Sequence, residues 1–141
     1  MHKILIINGP NLNLLGKREI EIYGKKTLKQ IENECQDSFK DEKFELIFFQ
    51  SNSEGEIIEK LHQYQNFNGI IINAGAFTHT SIAIHDALKT IKLPKIEVHI
   101  SNIYSREEFR KKSFISPVVD GIIAGFGTNV YQVAINSLKY L

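Results

Sequence analysis

Two pairs of side chains in this sequence have the types and spacing that proton transfer needs. Arg18 lies five residues before Tyr23 in a run rich in glycine and asparagine, and a guanidinium held near a phenol favours the phenolate, so the tyrosine can act as a general base. Glu97 and His99 stand two apart in an apolar run. In a strand that spacing puts both on one face, where a carboxylate orients an imidazole and favours its charged form. A histidine in an apolar strand is more often a satisfied core residue than a catalyst, so Glu97 beside it carries much of the weight. Metal chemistry matches poorly: His79 and His85 are six apart, off the three-or-four spacing that sets two ligands on one helical face, and no HExxH or CxxC pattern occurs. Cys35 is the only cysteine, which rules out an internal disulfide and a multi-cysteine metal site; it reads as a packing residue. His2 and His62 read as surface groups.

The elements that must hold these residues show as an alternation. Residues 3–7, 44–49, 69–72, 95–100 and 121–124 are apolar, β-branched runs that end in polar residues or glycine. Between them lie segments with helical spacing, two of which open on the capping-box pattern, Thr27 with Gln30 and Ser53 with Glu56. Two more helices are expected over about 81–91 and 129–140. Strands apolar on both faces belong to parallel sheets covered by helices on each side. The expectation is a flavodoxin-like three-layer α/β fold, a five-stranded parallel sheet of order 2-1-3-4-5. Ligands of such sheets bind outside the carboxyl ends of the strands, near the switch point between strands one and three. Asn8 to Asn11, Asn73 to Gly75 with Thr78 and His79, and His99 with Ser101 and Asn102 all fall at that edge.

Residues 8–24 form a long segment before the first helix, and such loops in compact domains are usually functional or disordered. The plainer reading is a surface loop whose Leu12, Leu14 and Leu15 cap the core. The Gly125-Phe126-Gly127 stretch is better read as a tight turn than as a phosphate cradle. Asp86, on the third helix, is on sequence alone a solvated residue or an intrachain ion-pair partner. Lys111 and Lys112 read as part of a solvated charged face.

Composition narrows the classes. The 141 residues fit one domain, 1–141, with no repeat or linker. Seventeen Lys plus Arg against sixteen Asp plus Glu leave a net charge of +1, which gives no field for nucleic acid or anionic membrane. No apolar run approaches the roughly twenty residues of a membrane span. The N-terminus enters a strand-like run directly, without a signal peptide's apolar stretch and cleavage site, and points to a cytoplasmic protein.

The segment NGPNLNLLGKREIEIYG, Asn8 to Gly24, resembles the signature loop of the type II 3-dehydroquinate dehydratases, with Ile20 where that family usually has proline. The resemblance continues through Phe49-Gln50-Ser51-Asn52, through Asn73-Ala74-Gly75-Ala76-Phe77-Thr78-His79, and through Glu97-Val98-His99-Ile100-Ser101-Asn102 with Arg106-Glu107-Glu108-Phe109-Arg110. Four motifs in order and spacing are far more specific than one glycine pattern. The resemblance implies an anti elimination of water from 3-dehydroquinate through an enolate, without metal, cofactor or Schiff base. It implies Tyr23 as base assisted by Arg18, His99 as acid oriented by Glu97, and Asn11 near the enolate oxygen. Asn73, His79, Arg110 and the amides of Ile100 and Ser101 are implied to hold substrate. Asp86 would reach a neighbouring subunit's site in a dodecamer of four trimers. Because Tyr23 rides on a loop lacking the usual proline, it is the group expected to stand displaced or disordered in an empty structure.

The fold alone does not fix this function, since flavin carriers and receiver domains share it. A receiver needs an acidic cluster where Asn8, Gly9 and Pro10 stand, and a flavin carrier needs a Ser/Thr-Gly phosphate loop where this loop is Leu-rich. A structural oligomer that has lost activity is a third class; all the matched reacting residues are present.

Overall fold

The computed structural model describes residues 2–141. Its five parallel strands are β1 (His2–Asn8), β2 (Phe44–Gln50), β3 (Gly69–Asn73), β4 (Lys95–His99) and β5 (Gly121–Ala124). They lie in the order β2-β1-β3-β4-β5, the flavodoxin-like sheet expected from the alternating runs. Strands β1, β2 and β3 each run one polar residue further than their apolar cores, because the parallel register pairs Asn8 with Gln50 on one side and with Asn73 on the other. β4 stops one residue earlier than expected, at His99, so Ile100 begins the loop.

The helices are α1 (Ile20–Tyr23), α2 (Leu28–Ser38), α3 (Glu54–Leu61), α4 (Ile82–Lys89) and α5 (Val130–Ser137). α2 has both halves of its capping box, Thr27 accepting from the Gln30 amide and Gln30 from the Thr27 amide. α3 has only one half. Ser53 accepts from the Glu56 amide, but the Glu56 carboxylate turns to Ser51 Oγ at 3.1 Å, so the second half of the expected box is absent. α4 is capped by Ser81 and ends two residues short of the expected 91, and α5 gives way at Leu138 to a 3-10 turn.

Alternation along the buried strands splits the core in two. Ile4, Ile6, Ile71, Ile96 and Val98 pack with Ile31 and Cys35 of α2 and with Val130, Ala134 and Ile135 of α5. Leu5, Ile7, Ile70 and Ile72 pack on the other face with Ile57 and Leu61 of α3 and Ile84 and Leu88 of α4. Burial pushes the Cys35 thiol up to about 12, which suits an inert packing residue.

The two faces meet a buried polar knot at the switch point. The Tyr131 hydroxyl of α5 donates to Asn8 Oδ1 and accepts from Asn73 Nδ2 at 3.1 Å, joining the ends of β1 and β3. Burial holds that hydroxyl well above its usual range. Beside it the chain turns so tightly that a Cβ on Gly9 would lie 2.3 Å from the Ala74 carbonyl, so only glycine fits.

Candidate active site

Residues 9–24 serve both readings of that segment at once. Leu12 and Leu15 are buried in the core, but Leu14, expected to cap it with them, is 40% exposed; the chain around them passes over the carboxyl edge of the sheet. Asn11 sits at φ 68°, a left-handed conformation that asparagine tolerates, and its amide donates to Asn52 Oδ1 at 3.0 Å. After a second left-handed residue, Glu19, the short helix α1 opens on Ile20 and ends on Tyr23. Ile20 thus stands at the first helical position, where a proline would fit without losing a hydrogen bond.

Under this cap lies a cavity of about 120 Å³, lined by Asn11, Arg18, Tyr23, Asn73, His79, His99, Ile100, Ser101, Arg106 and Arg110. That volume is below the usual range for drug-sized ligands and suits one small molecule. No lysine is among the lining residues. Among the described residues no group of three His, Cys, Asp or Glu side chains is placed to hold a metal ion, and no helix is long and apolar enough to cross a membrane.

Tyr23 lines the cavity. Its hydroxyl lies 2.7 Å from Arg106 Nη1, which also donates to Ser101 Oγ at 3.1 Å. The expected neighbour, Arg18, is present but in another role: its guanidinium stacks 5.0 Å from the Tyr23 ring centroid and pairs with Glu19 at 2.5 Å. The cation on the phenol oxygen is therefore Arg106, eighty-three residues away in sequence. The Arg106 carbon lies 5.1 Å from the ring centroid, so both cations stabilise the ring's π-face as well.

Glu97 and His99 share the sheet face toward α4, since Ile96 and Val98 fill the other. Glu97 Oε2 lies 2.6 Å from His99 Nε2 and accepts from Ser113 Oγ at 2.9 Å, while Oε1 accepts from Ser116 Oγ. Desolvation pushes the Glu97 carboxyl up, but hydrogen bonds and charge from His99, with the two serines, outweigh it and hold the group below its ordinary value. A carboxylate only accepts, so His99 carries a proton on Nε2 and Nδ1 is left for the cavity. The His79 ring stacks on it, centroids 6.5 Å apart, and anchors its own Nδ1 on the Lys112 carbonyl at 2.7 Å. Burial is the main influence that lowers His79's basicity, with the Lys112 bond opposing it.

The remaining expected residues divide. Ile100, Ser101 and Arg110 line the cavity, with Arg110 Nε also paired to Glu107 at 3.2 Å. Asn73 lines it too, yet its side chain is committed at both ends, Nδ2 to Tyr131 and Oδ1 to the Gly75 amide. Asp86 is exposed on α4 and is not brought to this cavity. Arg106, Ser113 and Ser116 complete the arrangement and were not among the expected residues. Arg106 lies in the motif that ends on Arg110, and nothing within that run singles it out; the serines reach Glu97 only through tertiary folding.

Fold and cleft together define an open parallel α/β protein with a candidate acid–base site at its switch point. The family model described as "Dehydroquinase class II" matches residues 2–139. A Prochlorococcus marinus protein named 3-dehydroquinate dehydratase is 58% identical over 140 residues, covering 98% of this chain and 96% of its own. The 3-dehydroquinate dehydratase 1 of Agrobacterium fabrum is 54% identical over 137 residues, 96% of this chain and 94% of its own. The crystal structure of type II dehydroquinase from Butyrivibrio crossotus superposes with a TM-score of 0.95 at 47% identity, covering 98% of this chain and 97% of its own. The chain belongs to the class II dehydroquinase family.

Proposed function

We propose that this chain dehydrates 3-dehydroquinate to 3-dehydroshikimate by anti elimination through an enolate, without metal or Schiff base, and that residues 1–141 act as one catalytic domain. The observation that carries the reading is that one cavity holds Tyr23 with Arg106 on its oxygen and His99 with the Glu97 carboxyl group behind it. Tyr23, as phenolate, removes the proton next to the ketone, with Arg106 balancing the charge on its oxygen and Arg18 on its ring. His99, balanced by Glu97, gives the proton to the departing hydroxyl. A base and an acid that are different residues from different elements suit an elimination whose two groups leave from opposite faces.

Asn11 faces the cavity beside Tyr23 and supplies a donor where enolate charge develops. His79, Arg110, the second N–H of Asn73 Nδ2, which Tyr131 does not use, and the amides of Ile100 and Ser101 hold the hydroxyl and carboxylate edges of the substrate. The absence of a lysine from the lining supports a route without a Schiff base. Asp86 acts at the site of a neighbouring subunit in a dodecamer of four trimers; its exposed position on α4, outside this chain's own cavity, suits that role. The pathway is the shikimate route to aromatic amino acids and the compartment the cytoplasm.

The test is direct. Purified chain in chelator-treated buffer is mixed with 3-dehydroquinate, and the ultraviolet absorbance of the conjugated enone is followed. Steady appearance of enone is expected; none, from folded protein, overturns the reading.

A further inference from the structure

The segment 112–116 holds two histidines, His79 of the cavity wall and His85 of α4, through its backbone carbonyls, although none of its own residues lines the cavity. Its Lys112 carbonyl accepts from His79 Nδ1 at 2.7 Å, and its Phe114 carbonyl lies 2.6 Å from His85 Nδ1. The Phe114 amide donates to the Thr78 carbonyl at 2.8 Å, and Ile115 is wholly buried. Ser113 and Ser116 then close on Glu97.

We propose that Ser113 and Ser116 are positioning residues for the elimination: they fix the Glu97 carboxylate so that His99 is held with its ring aimed at the cavity. The inference rests on the functional reading above. A hydroxyl has one proton and two lone pairs. Both lone pairs of Ser113 Oγ are taken by amides, those of Ile115 and Ser116 at 3.0 Å each, so its proton can point only at Glu97. That arrangement makes Ser113 a one-way donor. Ser116 donates to the opposite carboxylate oxygen, and two donors on different oxygens stop the group from rotating away from His99 Nε2.

The serines also solve a charge problem. Glu97 is 1% exposed, and a buried carboxylate stays ionised only if its oxygens are met by donors. Without the hydroxyls, His99 alone would face it, and the carboxyl would take up a proton more readily. A neutral Glu97 no longer balances a charged imidazole. The ionisable groups around Glu97 are His99 and Lys95 on its own strand, His79 from the turn after β3, His85 from α4, and Arg110 beyond His79. Lys95 is turned to the Ile91 carbonyl and His85 to Phe114, which leaves the serines and His99 as the donors on the carboxylate itself.

The experiment compares Ser113→Ala, Ser116→Ala and Ser116→Thr with the unmodified chain in steady-state turnover of 3-dehydroquinate across pH, with melting curves for each. A hydrogen bond to a charged group corresponds to roughly a tenfold to hundredfold effect. The alanine variants are expected to lose about that in kcat, to keep KM within about twofold, and to move the acidic limb of kcat to higher pH. Ser116→Thr, which keeps the hydroxyl, is expected to restore kcat and the limb. Unchanged kcat and limb in a folded alanine variant overturn the proposal, as does a rise in KM alone, which would assign the segment to His79 and substrate holding. If Ser113→Ala fails to fold, the Ser116 pair decides: equal kcat for Ala and Thr overturns it. If the unmodified chain is inactive, the functional reading fails first. Nitrogen-15 spectra of the His99 ring then still test the positioning, since a ring signal unmoved by Ser116→Ala overturns it.

Discussion

Arg106 is where the structure adds most to the sequence, and replacing it with methionine isolates its part. The substitution keeps an unbranched side chain of similar reach but removes the Nη1 donor that lies 2.7 Å from the Tyr23 oxygen and 3.1 Å from Ser101 Oγ. A hydrogen bond to a charged group is worth about 1.5–3 kcal/mol. If that stabilisation is felt by the phenolate base, the loss in kcat/KM is about 10- to 100-fold, at roughly 1.4 kcal/mol per tenfold. Loss of the cation over the ring, 5.1 Å from the centroid, adds roughly 0.5–1 kcal/mol. Arg18 stays in place and keeps its own ring contact, so binding of the substrate is expected to weaken less than turnover. The assay is the enone absorbance under steady state, with ligand binding measured by calorimetry on the same preparation. Arg106→Lys should recover part of the loss, because an ammonium supplies charge but not the planar fork. A kcat/KM within about twofold of the unmodified chain in folded Arg106→Met would refute the reasoning and return the oxygen's stabilisation to Arg18.

Three further outcomes follow from contacts already described. Tyr23→Phe deletes the base and little else; kcat should fall by about 10²–10⁴-fold while substrate affinity by calorimetry stays within a few-fold, and equal loss of both would make Tyr23 a structural residue. Tyr131→Phe leaves Asn8 Oδ1 and Asn73 Nδ2 without their buried partner, so the urea midpoint should drop by the equivalent of about 1–3 kcal/mol, and an unchanged midpoint would contradict the knot's role. Glu97 has a folded value below its ordinary 4.5, so its contribution to stability is present above about 4.5 and lost as pH falls through the lower folded value; the stability gap between the unmodified chain and Glu97→Gln should close in acid, and a gap independent of pH would count against it.

The sheet was legible because its central strands β1 and β3 are apolar on both faces, and because the other runs recur in alternation with helical segments, even though β4 carries Lys95, Glu97 and His99 on one face. Strand ends were read one residue off where polar Asn8, Gln50 and Asn73 continue the ladder, since polarity looks like a stop although the register carries on. α1 was missed because four residues are too few for a helical period to show. At the site, Glu97 and His99 were legible from local geometry, being two apart on one strand. Arg106 was not, because its partner Tyr23 is distant in sequence and only folding of residues 9–24 over the sheet edge joins them. Ser113 and Ser116 were hidden for the same reason. Nothing local marks a serine that donates across to a neighbouring strand. Asp86 is the converse case: its expected role lies on a partner, and within the chain it is an exposed helix residue.

The central claim is that proton and hydroxyl leave from opposite faces of the substrate, to Tyr23 and with His99. The most direct measurement uses two samples of 3-dehydroquinate, each deuterated on one face of the carbon that loses the proton, and reads deuterium in the product by mass spectrometry. Loss of the label on the face opposite the departing hydroxyl, with retention on the other, is the predicted result. Loss of the label on the same face as the hydroxyl would contradict the assignment of separate base and acid.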